Sequence, residues 1–416
     1  MFAQDSSTVK SAASLASIDE TTWNYYEKAQ WVEMIHYCDS VIDKGIDFYY
    51  LRLRYGIACF QTGIFREAIE QFKAAEKQNP TDELYLEYLY YSLLYCERTA
   101  EARGLTNVMS TYLQERLNVS KKVEIDVANL STGIKHTTNT DFKNPHFSEL
   151  CITHFAGRHL LLTHALTSYQ QTENRFSVDQ YQYYLKGALA LKGGYVIQAG
   201  VHSWLAKVDV WKSEKTIVTS TYVISANGSG QGAQTGTLAS QVFTLVQAPT
   251  TLYGTTGAIN ITKNYSKLGW NIGLGMMDMD TAYQYQGSFS MNLYPLRNNK
   301  LMIGATGYLH NVNQKKVLNQ AWSAYISYYP TNRVNLYANA FFNNGPNITE
   351  AIGSYISNSI DYTRMRSTFM LSAGLTSNLW LNTTIGWEQK HHFTSDYSYY
   401  YTLVSIGLRY FPRIKP

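Results

Sequence analysis

Two segments in which apolar and polar residues alternate constrain the fold of this chain more than any other feature. In the segment Trp270–Met276 apolar residues alternate with asparagine and glycine, and in Tyr283–Tyr294 they alternate mainly with glutamine, serine and asparagine. A repeat of two indicates a β-strand with one apolar face and one polar face. The strands predicted here, 266–278 and 281–294, exceed the roughly 9–11 residues that a tilted strand needs to cross a bilayer. We therefore predict a transmembrane β-barrel.

The composition agrees with a barrel joined to a second domain. The chain has 416 residues, and aromatic residues make up 14% of it, including 35 tyrosines, which suits the aromatic girdles of outer-membrane barrels. Residues 1–120 carry 11 basic and 17 acidic residues, whereas the remainder carries 24 and 14. This change of sign predicts a domain boundary near Asn118. The basic part shows no nucleic-acid-binding motif, and we expect it to contact outer-membrane lipids or lipopolysaccharide at the barrel rim.

Three regions follow from these patterns. We interpret residues 1–16 as a flexible leader, in which Phe2-Ala3-Gln4 is the remainder of a bacterial signal peptide. Residues 17–118 show helical spacing of apolar residues, and residues 121–416 show strand alternation. The predicted fold class is therefore a multidomain α + β protein with N-terminal helical hairpins and a C-terminal antiparallel transmembrane β-barrel.

The segment Tyr49–Pro80 is the clearest helical unit. Its small and aromatic residues are spaced as in a helix-turn-helix pair, with Gly56, Ala68, Phe72, Ala75 and Pro80 at the informative positions. In this respect it resembles a tetratricopeptide repeat, although Arg52 and Cys59 replace the usual aromatic residues. The resemblance implies a protein-binding groove lined by the first helix of the pair, here by Tyr50, Leu53, Ile57 and Phe60.

We predict a barrel of about 14 strands, which places both of its ends in the periplasm. The predicted strands are 122–134, 147–156, 159–171, 176–191, 195–205, 251–263, 266–278, 281–294, 300–310, 317–330, 333–343, 362–376, 379–390 and 398–411. Short connections with turn residues fall on one side, and the longest ones, 135–146, 206–250 and 344–361, fall on the other. We expect 206–250 to form an extracellular hairpin or lid with the glycine-rich tip Asn227–Gly232.

A few charged residues lie on the polar faces of these strands and are expected in the barrel lumen: Lys186, Arg364, Arg366, Glu388 and Arg409. One interpretation is a structural ion-pair network, because Glu388 and Arg409 belong to adjacent strands. The other is a selectivity filter for an anion near Arg364, Arg366 and Arg409.

The sequence contains no motif of a hydrolase or a metalloprotease, because neither GxSxG nor HExxH occurs and the histidines match no metal-site spacing. We therefore predict a non-enzymatic protein without cofactor or metal, with a barrel enzyme as a remaining alternative. Cys38 and Cys59 are expected to be buried thiols on helices, with a disulfide between them as the alternative.

Helices of this type followed by an outer-membrane barrel resemble the architecture of exopolysaccharide-secretion porins. The resemblance implies an outer-membrane protein with its N-terminal domain in the periplasm. Our first hypothesis is an accessory subunit of a secretion or assembly machine, whose helical groove docks periplasmic or outer-membrane proteins. The alternative is a porin-like channel for a polysaccharide or for an anionic or sugar solute.

Overall fold

The computed structural model describes residues 6–119, 123–138, 144–157, 160–172, 176–191, 194–224, 234–279, 282–312, 318–344, 348–350, 355–356, 362–391 and 397–412. Within these ranges, residues 6–14, 123, 176, 210–248, 279, 282, 312 and 355–356 are described by their backbone alone. The leader 1–5 and the glycine-rich tip Asn227–Gly232 lie outside the described residues.

Helices form the first part of the chain. They are α1 Ser6–Glu27, α2 Trp31–Asp43, α3 Tyr49–Gln61, α4 Phe65–Glu76, α5 Glu83–Tyr95, α6 Thr99–Gly104, a 3₁₀ turn Leu105–Asn107, and α7 Thr111–Arg116. The prediction of a flexible leader was wrong from residue 6 onward, because α1 begins at Ser6. The segment 6–16 contains alanine and neither glycine nor proline, which favours a helix. Across the described residues, every helix is too short or too polar to span a membrane.

The helices pack into one core, which we call the helical unit. In the α3–α4 hairpin, the ring of Phe72 lies so close to Gly56 that a Cβ there would be 2.5 Å from Phe72 Cε1. The small residue Gly56 predicted this close crossing of α3 and α4. Cys38 and Cys59 are free and buried, so the alternative of a disulfide is wrong in this structure. Burial raises the pKa of Cys38 to about 12 and also raises that of Cys59, and both thiols pack as apolar groups.

Fourteen antiparallel strands form a closed barrel, as the sequence predicted. The barrel strands are β1 Val123–Thr137, β2 His146–Ala156, β3 Leu160–Thr172, β4 Phe176–Leu191, β5 Tyr195–Ile224, β6 Gln234–Asn264, β7 Leu268–Met279, β8 Ala282–Leu293, β9 Leu301–Val312, β10 Leu318–Thr331, β11 Val334–Asn343, β14 Tyr362–Gly374, β15 Leu379–His391 and β16 Ser398–Tyr410. The short strands β12 Thr349–Glu350 and β13 Tyr355–Ile356 pair only with each other. Pairing of β1 with β16 closes the barrel, with Ala128 opposite Tyr410 and Thr137 opposite Tyr401.

The outward face of the barrel is apolar along most strands. On β16, for example, Val404, Ile406 and Leu408 are exposed, while the alternating Ser405 and Gly407 face inward. A water-soluble protein does not expose a continuous apolar surface of this size. The fold is therefore a barrel of outer-membrane type, with the apolar band in contact with lipid.

Strands β5 and β6 are much longer than predicted. They stay paired from Tyr195 opposite Lys263 to Ile224 opposite Gln234, so most of the predicted loop 206–250 is a two-stranded hairpin. At the other end six connections are short: β2–β3, β4–β5, β6–β7, β8–β9, β10–β11 and β14–β15. We call this end the short-turn mouth. At the opposite end the connections β3–β4 and β7–β8 are also short, as the predicted strand bounds imply.

Candidate functional site in the barrel lumen

The inward faces of the strands divide the lumen into a charged half and a neutral half. Inward charges lie on the contiguous strands β14–β16 and β1–β4, and include Lys135, Glu149, Lys186, Arg366, Glu388, Lys390 and Arg409. Among the described side chains of β5 to β11, no Asp, Glu, Lys or Arg occupies an inward position. Amides, hydroxyls, glycines and aromatic rings line that half instead. An inner wall of this kind can bind polar solutes through hydrogen bonds without selecting for charge.

The structure places four of the five predicted lumen charges on inward positions: Lys186, Arg366, Glu388 and Arg409. The prediction was wrong for Arg364. The pairing of β14 with β15 shifts between Thr363 and Met365, so a bulge interrupts the alternation. As a result Arg364 is exposed and lines a shallow recess of the outer wall beside Trp322 and Phe342. An anion filter that includes Arg364 is therefore excluded.

Glu388 is the centre of the ion pairs in the charged half. Its carboxylate lies 3.1 Å from Lys135 Nζ and 3.4 Å from Lys390 Nζ, and it accepts a hydrogen bond from Thr363. It does not pair with Arg409, because the register sets Glu388 opposite Tyr401 and Arg409 opposite Trp380. Buried carboxylates and ammonium groups need such partners, so these contacts hold the wall together.

A short segment of the β11–β14 connection folds back inside the barrel. Ile348 is buried against the inward residues Tyr308, Ala321 and Phe341. The side-chain amide of Gln286 donates to Thr349 O at 2.7 Å and accepts from Thr349 N at 3.1 Å. Glu350 accepts two bonds, of 2.6 and 2.8 Å, from Arg366 Nη2. Because these anchors lie on strands from β8 to β14, the segment narrows the lumen.

Several aromatic rings lie flat on the inner wall because a glycine stands on the neighbouring strand. A Cβ at Gly304 would be 2.3 Å from Tyr325 Cε1, and one at Gly254 would be 2.7 Å from the Trp204 indole. Glycine is required at both places, since any side chain would displace the ring. The rings therefore present a face, and not an edge, toward the lumen.

The helical unit lies across the short-turn mouth. Arg103 reaches Phe155 at the end of β2 with a distance of 4.7 Å from guanidinium to ring centroid. Lys73 and Arg98 adjoin Gly194 in the β4–β5 turn, and Glu97 accepts a bond from Tyr329 on β10. Turns on several sides of the mouth are contacted, so helices α4–α6 cover it.

Arg66, the second residue of α4, makes the densest set of contacts in this interface. Its guanidinium donates to Tyr265 O at 2.8 Å and to Ser266 O at 3.1 Å, and lies 3.3 Å above the ring of Tyr294. Its backbone N–H donates to Arg297 O at 2.9 Å. The side chain is 2% exposed, and burial lowers the pKa of Arg66. Sequence reasoning missed this residue, because one arginine in an amphipathic helix normally signals a solvent-exposed face.

Next to Arg66 the interface contains a buried ion cluster. Glu101 accepts bonds from Arg98 at 2.6 and 2.7 Å and pairs with Lys73 at 3.3 Å. Burial raises the pKa of Glu101, but the charges and hydrogen bonds of Arg98 and Lys73 outweigh burial and hold that pKa below its usual value. Burial lowers the pKa of Lys73, and the nearby Arg98 lowers it further.

Of the four residues predicted to line a groove on the helical unit, only Phe60 lines a groove in the structure. Leu53 is 5% exposed and Ile57 is 2% exposed, so both belong to the core and cannot contact a partner. Tyr50 is exposed, whereas the partly buried Phe60 joins a shallow aromatic groove between α3 and α5. The groove is lined by Phe60, Gln61, Leu84, Glu87, Tyr88, Tyr91 and Tyr95. The helical period alone did not distinguish the core side of α3 from its groove side.

Comparison with known proteins gives only distant similarities. No protein-family model and no curated protein sequence matches the chain. Among solved structures, the CymD monoaromatic hydrocarbon channel is 8% identical, with a TM-score of 0.45 over 70% of this chain and 88% of that one. The Ralstonia pickettii toluene transporter TbuX is 8% identical, with a TM-score of 0.42 over 70% and 90%. The KdgM porin is 9% identical, with a TM-score of 0.32 over 68% and 98%.

These similarities are too weak to transfer a substrate to this chain. The solved structures just named are described as channels, a transporter and a porin, and the resemblance to exopolysaccharide-secretion porins gains no support from them. Within the described residues, no group of three or more potential metal ligands occurs.

Proposed function

We propose that the chain forms a porin-like, non-enzymatic channel of the outer membrane for small, uncharged polar solutes. The observation that carries this proposal is the neutral half of the lumen, where the described inward positions of β5 to β11 bear no charged side chain. Amides and hydroxyls can replace the hydrogen bonds of a hydrated solute, whereas a wall of one charge sign would select ions. In the opposite half Glu388 pairs with Lys135 and Lys390, and Arg366 pairs with Glu350 of the inward-folded segment.

The position of the helical unit defines the inner side of this channel. Short turns of outer-membrane barrels face the periplasm, and the helical unit contacts those turns. We therefore propose that the helical unit is periplasmic and that passage of solute requires it to move away from the mouth. Passive permeation of this kind needs no nucleophile, cofactor or metal.

Planar-bilayer recording of the purified full-length chain tests the proposal. We expect discrete current steps, with only weak preference between potassium and chloride, and we expect proteoliposomes to swell in an uncharged solute. The variant Arg66→Met, in which the helical unit is held less firmly, should conduct at least as often. If neither the natural chain nor this variant gives steps, while both migrate as folded barrels, the channel proposal is wrong.

A second candidate is the docking of a partner protein, as an accessory subunit would require. The observation that favours it is the aromatic groove of the helical unit, in which Tyr88, Tyr91 and Tyr95 are only partly buried. Tyrosine-rich patches are common at protein interfaces. Replacing Tyr91 by Asp should then abolish co-purification of a stoichiometric periplasmic or outer-membrane protein. Recovery of the native protein without any partner would argue against this function.

A further inference from the structure

The neutral half of the lumen contains an aromatic platform made of Tyr325 on β10 and Tyr337 on β11. Both side chains point inward, since the alternating residues Tyr328 and Leu336 lie on the outward face. The ring centroids are 5.8 Å apart and the ring planes differ by 30°, so the two rings form one aromatic pair. Gly304 supports the first ring from behind, as described above. Both tyrosines remain partly exposed.

The strand register places hydrogen-bonding groups next to this platform. The Tyr325 hydroxyl donates to Asn292 Oδ1 at 2.7 Å, which fixes the ring in the plane of the wall. Asn339 stands directly opposite Tyr325 on the next strand, and backbones of neighbouring strands are about 5 Å apart. Toward the other end of the lumen follow the hydroxyls of Ser323 and Thr306, which are directly opposite each other. Amide and hydroxyl groups offer both donors and acceptors.

We infer that this platform binds a saccharide, an inference that rests on the proposed channel function and names its substrate class. A sugar ring has apolar C–H groups on its faces and hydroxyls around its edge. The C–H faces can lie on the electron-rich faces of Tyr325 and Tyr337, while the hydroxyls at the edge of the sugar bond to the partly exposed side chains of Asn339 and Thr306.

Two other ligand classes fit this platform poorly. A hydrocarbon offers no hydrogen-bonding group to the partly exposed amide of Asn339, and covering that amide would cost free energy. An anion would meet the negative faces of the aromatic rings, and no basic side chain occupies an inward position among the described residues of β9 to β11. The inward Arg366 on the neighbouring strand β14 is paired with Glu350. The platform therefore selects for a ligand with apolar faces and polar edges.

The test uses maltohexaose as the probe, with the full-length natural chain and three variants. Tyr325→Leu removes the aromatic face, Tyr325→Phe keeps the face and removes only the hydroxyl, and Tyr328→Leu is a matched control on the outward face of the same strand. Equilibrium binding to the detergent-solubilised protein is measured by saturation-transfer NMR, and current interruption by the sugar is measured in planar bilayers. Polyethylene glycol of similar length serves as the control polymer.

We expect the natural chain and Tyr328→Leu to bind and to be blocked equally, and Tyr325→Phe to differ by less than about three-fold. Tyr325→Leu should weaken both effects by roughly ten-fold, as expected when one aromatic contact is lost. Equal binding by Tyr325→Leu, or equal block by the glycol polymer, would overturn the inference. Because binding is measured without a current, a protein that does not conduct but binds maltohexaose through Tyr325 would refute the channel and leave the platform standing. A protein that conducts but does not bind the sugar would refute the binding platform and leave the channel proposal standing.

Discussion

The contact of Arg66 with the barrel turns leads to a quantitative prediction about the seated helical unit. Replacing Arg66 by Met keeps much of the length of the side chain but removes two short hydrogen bonds and the contact with the Tyr294 ring. A buried cation–π contact contributes about 2 kcal/mol and each charged hydrogen bond about 1.5–3 kcal/mol, against which the cost of burying the guanidinium must be set. We expect a net loss of about 2–4 kcal/mol, so that the released state becomes roughly 30- to 700-fold more populated.

Hydrogen exchange of the full-length protein measures this shift directly. The backbone N–H of residue 66 donates to Arg297 O across the interface, so it is protected only while the helical unit is seated. In the substituted protein its protection should fall by the same factor as the equilibrium changes. Amides within strand β10 report on the barrel itself and should keep their protection.

Arg52→Met is the matched control for this prediction. Arg52 also lies in the helical unit, but its partners Asp47 and Gln71 belong to that unit as well. The control should leave the protection of residue 66 nearly unchanged. If Arg66→Met also leaves it unchanged in a folded protein, the interface is not held by this side chain and our reasoning is refuted.

Three further predictions follow from other contacts. Glu101→Gln should destabilise the helical unit by about 3–5 kcal/mol, because it leaves the buried Arg98 and Lys73 without their carboxylate partner. Because the pKa of Glu101 is lowered, the natural chain should lose stability progressively as the pH falls from the ordinary glutamate pKa of about 4.3 through the lowered pKa, and the variant should not show this loss. Acid titration of the helical circular-dichroism signal measures both effects. Arg366→Gln leaves Glu350 without its partner and should release the inward-folded segment, which single-channel recording would detect as a larger current step. Gly56→Val places a Cβ against the Phe72 ring and should cost about 1–3 kcal/mol in denaturant unfolding of the helical unit, and an unchanged midpoint would contradict the packing described.

For the proposed channel, a covered mouth and an inward-folded segment predict a closed resting state. The helical unit contacts turns from the end of β2 to β10, and Ile348 is buried inside the wall near the other end. Different substitutions release the two elements, because Arg66 belongs to the helical unit and Arg366 belongs to β14, which binds the inward-folded segment. The two substitutions should therefore affect opening frequency and step size separately.

Alternation in the sequence was sufficient to predict the barrel, its 14 strands and most of their bounds. The reason is physical: lipid on one side and a polar lumen on the other impose a period of two on every strand, and turn residues mark the ends. Strand β4 was predicted at its observed limits, Phe176–Leu191. The hairpin expected within 206–250 is confirmed, but the predicted strands ended at 205 and began again at 251, because a strand outside the membrane does not need a continuous apolar face.

Only the tertiary structure shows which distant side chains contact each other, because the periodicity of the sequence does not encode these contacts. A bulge at Thr363–Met365 turns the Arg364 side chain outward. The strand register pairs Glu388 with Lys135 and not with Arg409. Both effects depend on pairing between distant segments, which leaves no trace in the local pattern. In the same way, only the packed helices show that Leu53 is buried, and only the assembled chain brings Arg66 to turns that lie about 200 residues further along the sequence.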